Sequence, residues 1–143
     1  MSEEQICKVQ HINHICFAVK DIEATMKFYE QMFGVTPSDV EVISDQGVKA
    51  VLLRVGGSQI ELIQPLESDN AVGRFIESRG ESVHHICFEV DNLQEKLEKM
   101  SGSDIRLIDE TPREGLSGMI AFIHPKSTNG VLYELVDSGT ARR

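Results

Sequence analysis

The spacing of apolar and polar residues follows the same series of strand-like and helix-like patterns in each half of the chain. In the first half, residues 12–19 alternate as a strand, Asp21 is placed to cap a helix, and Gly34 is placed to end it. One side of that helix is apolar and is expected to be buried: Ile22, Met26, Tyr29 and Phe33. Three further strands are predicted at 40–44, 48–55 and 58–64, with a hairpin turn at 56–57. The first half therefore predicts the order βαβββ.

The second half predicts the same order. A strand at 84–90 precedes a helix that begins near Asp91 or Asn92, ends at Gly102, and buries Leu93, Leu97 and Met100. Strands are then expected near 105–109, 118–123 and 131–136. Between the halves, residues 68–80 predict a connecting helix.

The residues themselves also repeat in register. HICFAVKDIE at 14–23 and HICFEVDNLQ at 85–94 share five of ten positions, at an offset of 85 − 14 = 71. Gly47 with Gly118 and Ala50 with Ala121 keep that offset, which then grows to 134 − 61 = 73 at the glutamates. We place the two extra residues in the loop 124–130, where insertions cost little. The sequence therefore predicts one domain, 1–143, made of two repeats at 10–66 and 81–137.

Four ionisable residues lie within strands that are otherwise apolar: His14, Glu61, His85 and Glu134. Each alone is more often a half-buried histidine or a solvent-facing glutamate. The repeat pairs them, however, and a pseudo-twofold relation would bring two histidines and two glutamates around one point. Burying two carboxylates without partners is very costly, and a divalent cation removes that cost. His84 aligns with Asn13 and not with His14, so the register selects His85.

Two imidazoles and two carboxylates predict a site for a divalent metal ion. Such a set suits Co²⁺, Zn²⁺, Ni²⁺ or Mn²⁺, and also Fe²⁺. An octahedral ion with four protein ligands keeps two positions for a chelating substrate, which fits Lewis-acid stabilisation of an enolate. His124 is a weaker candidate ligand, because it lies where the repeat slips, and the three cysteines, Cys7, Cys16 and Cys87, are expected to be free thiols.

Composition and charge argue against several classes of binding partner. The formal net charge of 14 − 23 = −9 argues against nucleic acid and against an anionic membrane surface. No apolar run approaches the ~18 residues that cross a bilayer. The N-terminal MSEEQICKV has no apolar signal core, so we expect a cytoplasmic protein.

Six segments of the chain resemble the methylmalonyl-CoA epimerase family of the vicinal-oxygen-chelate, or glyoxalase-fold, superfamily. The segment HPKSTNGVLYELV (124–136) is the most specific part of the resemblance, which covers most of the chain. The other matching segments are HICFAVKDIEATMKFYEQMFG (14–34), DQGVKAVLL (45–53), IELIQPL (60–66), RGESVHHICFEVDN (79–92) and RLIDETPREG (106–115).

The resemblance implies an α+β fold in which two tandem βαβββ modules form a curved mixed sheet around a metal-containing cavity. It implies that (R)- and (S)-methylmalonyl-CoA are interconverted by proton transfer at C2 through a metal-stabilised enolate, usually in a homodimer. His14, Glu61, His85 and Glu134 would hold the metal, since the family uses Gln or Glu at the third-strand position.

The catalytic bases are less well defined by the resemblance. Some members carry a glutamate, proposed as a base, where this chain has Ala50. We therefore take Glu134 as the first candidate, Glu61 as its partner, and Asp45 as a distant third. Lys126 and Ser127 are candidates for substrate binding.

Three other functions share parts of this pattern. A glyoxalase-I-type lactoylglutathione lyase would use the same proton chemistry, an extradiol dioxygenase would use two histidines and one carboxylate, and a non-catalytic binding protein would not need all four ligands. The charge of −9 also means that coenzyme A, a polyanion, must meet a local basic patch, for which Lys126, Arg113 and Lys49 are the first candidates.

Overall fold

A computed structural model of the chain describes residues 5–36 and 38–142. The chain folds into two compact units. One unit comprises residues 14–84, and the other comprises the described residues up to Asn13 together with residues 85–142. We name them the 14–84 unit and the 85–142 unit.

The 14–84 unit has the predicted βαβββ order, followed by a helix. Its elements are β1 (His11–Ala18, in this unit from His14 onward), α1 (Ile22–Phe33), β2 (Glu41–Ile43), β3 (Val48–Val55), β4 (Ser58–Pro65) and α2 (Ala71–Arg79). The strands lie in the order β2-β3-β4-β1. β1 runs parallel to β4, whereas β3 is antiparallel to both β2 and β4.

Helix α1 covers one face of these strands. Asp21 accepts a hydrogen bond from the backbone N–H of Ala24, and Gly34 ends the helix at φ 65°, as the sequence predicted. Ile22 and Met26 pack on Val51, Leu53 and Leu62, with Tyr29 partly buried against them. The prediction for Phe33 was wrong: it is 62% exposed, and its ring contacts the rings of Phe28 and Tyr29 on the same helix.

The connecting helix is shorter than the predicted 68–80. Helix α2 spans Ala71–Arg79, and Asn70 caps it by accepting a hydrogen bond from the N–H of Gly73. The Asn70 amide also donates to the carbonyl oxygen of Gly47 at 2.7 Å. The cap therefore holds the start of α2 against the turn before β3.

The 85–142 unit repeats the same order. Its elements are β5 (Ser82–Val90, in this unit from His85 onward), α3 (Leu93–Ser101), β6 (Arg113–Gly115), β7 (Gly118–Ile123) and β8 (Tyr133–Asp137). The strands lie in the order β5-β8-β7-β6, with β5 parallel to β8. Asn92, not Asp91, caps α3. The three residues predicted for the apolar side of this helix are buried, namely Leu93, Leu97 and Met100.

The predicted strand at 105–109 was wrong. Only Leu107 forms a single bridge, to Ile123. Beyond it, the backbone N–H of Phe122 donates to the Asp109 carboxylate at 2.9 Å. A side chain thus takes the place of the backbone acceptor that a continuing ladder needs. The second strand of this unit is instead β6, Arg113–Gly115, which the sequence did not predict.

The ladders show how the two repeats correspond. Cys16 lies opposite Glu61, and Cys87 lies opposite Glu134, which agrees with the offsets of 71 and 73. Each glutamate also has a partner on the antiparallel strand that precedes it: Leu52 lies opposite Glu61, and Phe122 lies opposite Glu134. The offset between Leu52 and Phe122 is 122 − 52 = 70 residues. The expected match of Ala50 with Ala121 is therefore wrong by one residue. None of the helices among the described residues is long and apolar enough to cross a membrane.

Candidate functional site

The 14–84 unit holds a buried histidine–glutamate pair. His14 on β1 and Glu61 on β4 are diagonal neighbours on one face, because Cys16 is the residue directly opposite Glu61 in this parallel ladder. His14 Nε2 lies 3.2 Å from Glu61 Oε1. His14 is 1% exposed and Glu61 7%. The helix α1 covers the other face of the strands, as the alternation of β1 predicted.

The 85–142 unit holds the equivalent pair. His85 Nε2 lies 3.3 Å from Glu134 Oε1, and both residues are buried. Cys87 stands opposite Glu134, as Cys16 stands opposite Glu61. Each repeat therefore places the same two side chains in the same strand register.

Phe122 and Arg113 extend the site in the 85–142 unit. Phe122 lies opposite Glu134, and its ring meets the His85 ring edge-on, with 5.4 Å between centroids. The Arg113 guanidinium carbon lies 5.5 Å from the centre of the Phe122 ring, a cation–π distance. Asp109 fixes this arrangement, because it accepts from Arg113 Nε at 3.0 Å as well as from the Phe122 backbone. Arg113 was predicted as part of a basic patch, and the structure places it beside this pair.

The pairing of β3 with β4 shows which basic side chain lies on the same face as Glu61, in the His14–Glu61 pair. Leu52 faces Glu61 and Arg54 faces Gln59, so Arg54 shares the face of Glu61. Lys49, another candidate for the basic patch, is an odd number of residues away from Arg54 and therefore lies on the face opposite Glu61. Sequence reasoning missed Arg54.

The other predicted residues lie in turns. Lys126 and Ser127 belong to the short 3-10 turn Pro125–Ser127 after β7. The Ser127 hydroxyl accepts from the backbone N–H of Arg106 at 2.8 Å, and the Lys126 backbone donates to Nδ1 of His124 at 3.1 Å. His124 is thus engaged with its own turn. Asp45 lies exposed in the turn Ser44–Gln46.

The cysteines are free, as predicted. Cys16 and Cys87 are fully buried. Burial raises the pKa of the Cys7 thiol above its usual value, and the charge of Lys96 opposes this rise. Cys7 is therefore a poor nucleophile near neutral pH.

The chemistry of each pair suits a divalent ion of the first transition row. An imidazole nitrogen and a carboxylate oxygen lie about 3 Å apart on rigid strands, in positions from which water is largely excluded. A carboxylate buried in this way is stabilised by a cation. Each unit therefore offers one nitrogen and one oxygen ligand to a metal ion.

Comparison with known protein families identifies the fold. Residues 13–122 match the family described as the Glyoxalase/Bleomycin resistance protein/Dioxygenase superfamily. The chain is 38% identical over 130 residues to the uncharacterised protein YqjC of Bacillus subtilis, covering 90% of this chain and 93% of that protein. It is 33% identical over 126 residues to the human mitochondrial methylmalonyl-CoA epimerase, covering 87% of this chain and 72% of that enzyme.

Solved structures agree with this assignment. The methylmalonyl-CoA epimerase of Mycobacterium tuberculosis superposes with a TM-score of 0.86 at 31% identity, covering 96% of this chain and 92% of that chain. A methylmalonyl-CoA epimerase in complex with methylmalonyl-CoA and NH4+ gives the same TM-score and identity, covering 95% of this chain and 100% of that chain. The predicted α+β fold of the glyoxalase type is thereby confirmed. The chain belongs to the Glyoxalase/Bleomycin resistance protein/Dioxygenase superfamily and, within it, to the epimerase enzymes related to methylmalonyl-CoA epimerase.

Proposed function

We propose that this enzyme interconverts (R)- and (S)-methylmalonyl-CoA by moving the proton on C2, with a divalent metal ion as cofactor. The observation that carries the proposal is the buried histidine–glutamate pair that recurs in the same register in both units. The names of the relatives support the substrate, since one related enzyme was solved in complex with methylmalonyl-CoA.

In this proposal the two units form one domain with one metal site. Proteins of the glyoxalase fold typically bind a metal ion. His14, Glu61, His85 and Glu134 supply two neutral imidazoles and two carboxylates, whose charge of −2 balances a divalent ion. Co²⁺, Zn²⁺, Ni²⁺ and Mn²⁺ all accept this set of donors. When bound by these residues, such an ion would supply Lewis-acid stabilisation of negative charge next to C2.

The two glutamates then move the proton. Glu134 takes the proton from C2, so that the C–H bond breaks, an O–H bond forms on the carboxyl group, and the electron pair stays on the substrate. Before this step Glu61 takes up a proton from water; it gives that proton to the opposite face of C2, where the electron pair forms the new C–H bond and the centre is inverted. The roles exchange in the reverse direction, and water resets both carboxyl groups between turnovers.

Neighbouring residues favour this chemistry. Phe122 and Leu52 stand opposite the two glutamates and place apolar side chains beside them. Low polarity strengthens the electrostatic interactions that stabilise a developing negative charge. Lys126 and Ser127 are proposed to bind the substrate, and Ser127 can still donate its hydroxyl proton while it accepts from Arg106. A homodimer and a cytoplasmic location stay predictions from the sequence.

Exchange at C2 tests the function directly. Metal-loaded protein is incubated with racemic methylmalonyl-CoA in D₂O, and loss of the C2 proton signal is followed by NMR beside metal analysis of the same sample. We expect rapid exchange. Absence of exchange with the metal present contradicts the proposal, and activity on the methylglyoxal–glutathione adduct in its place would favour a lactoylglutathione lyase.

Two matched substitutions separate metal binding from proton transfer. His14→Ala removes a ligand and is expected to lower the metal content. Glu61→Gln keeps a ligand oxygen and removes a base, so we expect the metal to stay, inversion to fall by about 10²-fold or more, and one enantiomer still to exchange its proton. Glu134→Gln should instead protect the enantiomer that still exchanges in Glu61→Gln, and leave the other one exchanging. A His14→Ala protein with its full metal content, or a Glu61→Gln protein with normal inversion, would show that the roles are assigned wrongly.

A further inference from the structure

The 14–84 unit contains a cavity of about 730 Å³ at the hairpin end of β3 and β4. Its lining includes Arg54 and Gln59 from the hairpin, and Phe33, Thr36 and Ser38 from the end of α1 and the segment after it. This volume lies in the range of small-molecule and cofactor sites.

The charge of the lining is unusual for this chain. Arg54 is the one charged residue among the described residues that line the cavity, although the chain carries a net charge of −9. A second cavity, of about 660 Å³, sets Lys20 against Glu67 and Glu77. A third, of about 540 Å³, has Lys27 and three acidic residues in its lining. Of these three cavities, the one at Arg54 is the one whose lining favours an anion.

Arg54 is available to bind such an anion. Its side chain is exposed and forms no hydrogen bond or ion pair with another described residue of the chain. A guanidinium has five N–H donors in a planar fork that matches phosphate oxygens. The hydroxyls of Thr36 and Ser38, which line the same cavity, add two further donors.

The cavity also lies at a suitable place relative to the catalytic residues. Gln59 lines it and shares the face of Glu61, two residues earlier on β4, which is about 6.8 Å along the strand. Arg54 is the cross-strand partner of Gln59. A substrate whose reacting end lies at Glu61 can therefore extend along this face past Gln59 towards Arg54.

We propose that this cavity binds the phosphate groups of the coenzyme A portion of the substrate, with Arg54 as the principal contact. The inference rests on the proposed function, because it takes the substrate to be a coenzyme A thioester. It explains how a strongly acidic chain binds a polyanion: the phosphates meet a local cation on the face that also carries Glu61.

Isothermal titration with coenzyme A itself tests the subsite without requiring turnover. Arg54→Gln removes the charge, and Lys27→Gln, on the exposed side of α1, is the matched control for the loss of one positive charge. We expect coenzyme A to bind Arg54→Gln at least about tenfold more weakly than the wild type, and Lys27→Gln to bind it equally well. The wild-type affinity should fall more steeply with salt than that of Arg54→Gln.

Several results would overturn the inference. The first is that Arg54→Gln and the wild type bind coenzyme A with equal affinity, and the second is that Lys27→Gln loses as much affinity as Arg54→Gln. The third is that the affinities of Arg54→Gln and the wild type depend equally on salt, and the fourth is that the wild type does not bind coenzyme A measurably. Circular dichroism of each variant checks that it is folded. If coenzyme A binding depends on Arg54 but the D₂O experiment shows no exchange, the subsite stands and the epimerase reaction fails.

Discussion

Asp109 joins a loop to β7 in the 85–142 unit, and its removal should destabilise that connection measurably. Its side chain is 16% exposed. One oxygen accepts from Arg113 Nε at 3.0 Å and the other from the Phe122 backbone N–H at 2.9 Å. The substitution Asp109→Asn keeps the shape but leaves one acceptor oxygen, and it turns an amide NH₂ group towards one of the two donors.

The size of the effect follows from these two contacts. A hydrogen bond to a charged group contributes about 1.5–3 kcal/mol net. The Arg113 side chain is 38% exposed, so solvent screening reduces its share. The Phe122 bond lies deeper, since Phe122 is buried. We expect Asp109→Asn to lower the free energy of unfolding by about 2 kcal/mol, and the melting temperature by roughly 4 °C for each kcal/mol.

Urea unfolding followed by circular dichroism measures this difference. Asp104→Asn is the matched control, because Asp104 is exposed in the same segment and loses the same charge. We expect the control to stay within about 0.5 kcal/mol of the wild type. If Asp109→Asn were as stable as Asp104→Asn, the Asp109 side chain could not be the reason why the ladder ends at Leu107.

Three further substitutions test the core, a turn and an ion pair. Leu97→Ala should cost about 3–4 kcal/mol of unfolding free energy in urea titrations, because Leu97 is fully buried, whereas Leu66→Ala, at an exposed position, should cost less than about 0.5 kcal/mol. Gly47→Ala should cost about 1–3 kcal/mol by the same measurement, since Gly47 has φ +68° and a Cβ there would lie 2.8 Å from the Asn70 amide nitrogen. The hydrogen bond from Lys96, and then its charge, hold the pKa of Asp91 below its usual value. This contribution to stability is present above the unfolded-state pKa and is lost as the pH falls through the lower folded-state pKa, so Lys96→Gln should reduce the acid dependence of unfolding.

The helices were predictable because their signals are local. The caps Asp21 and Asn92 and the apolar residues of α3 all act within one or two turns of the helix they belong to. The sequence left Asp91 and Asn92 as alternatives for the second cap. The backbone there has φ 44°, a region in which asparagine is several-fold enriched.

The errors occur where a distant side chain decides the structure. The segment 105–109 has the composition of a strand, yet Asp109 replaces the backbone acceptor that β7 would need. That contact joins residues 13 positions apart, beyond the range of a local sequence pattern. Phe33 fits the helical period but is the last residue of α1 and is exposed.

The histidine–glutamate pairs were predicted from the repeat, and Arg54 could have been predicted from the hairpin. A two-residue turn at 56–57 fixes the pairing so that the numbers of facing residues sum to 113, as in 52 + 61 and 54 + 59. Alternation along β3 then places Arg54 on the face of Glu61 and Lys49 on the other face. The net charge of −9 therefore describes the chain as a whole, but it does not describe the face of Glu61, which carries the cationic Arg54. Because a one-residue change of register would exchange Arg54 for an apolar neighbour, the turn at 56–57 determines whether an anion meets a cation there.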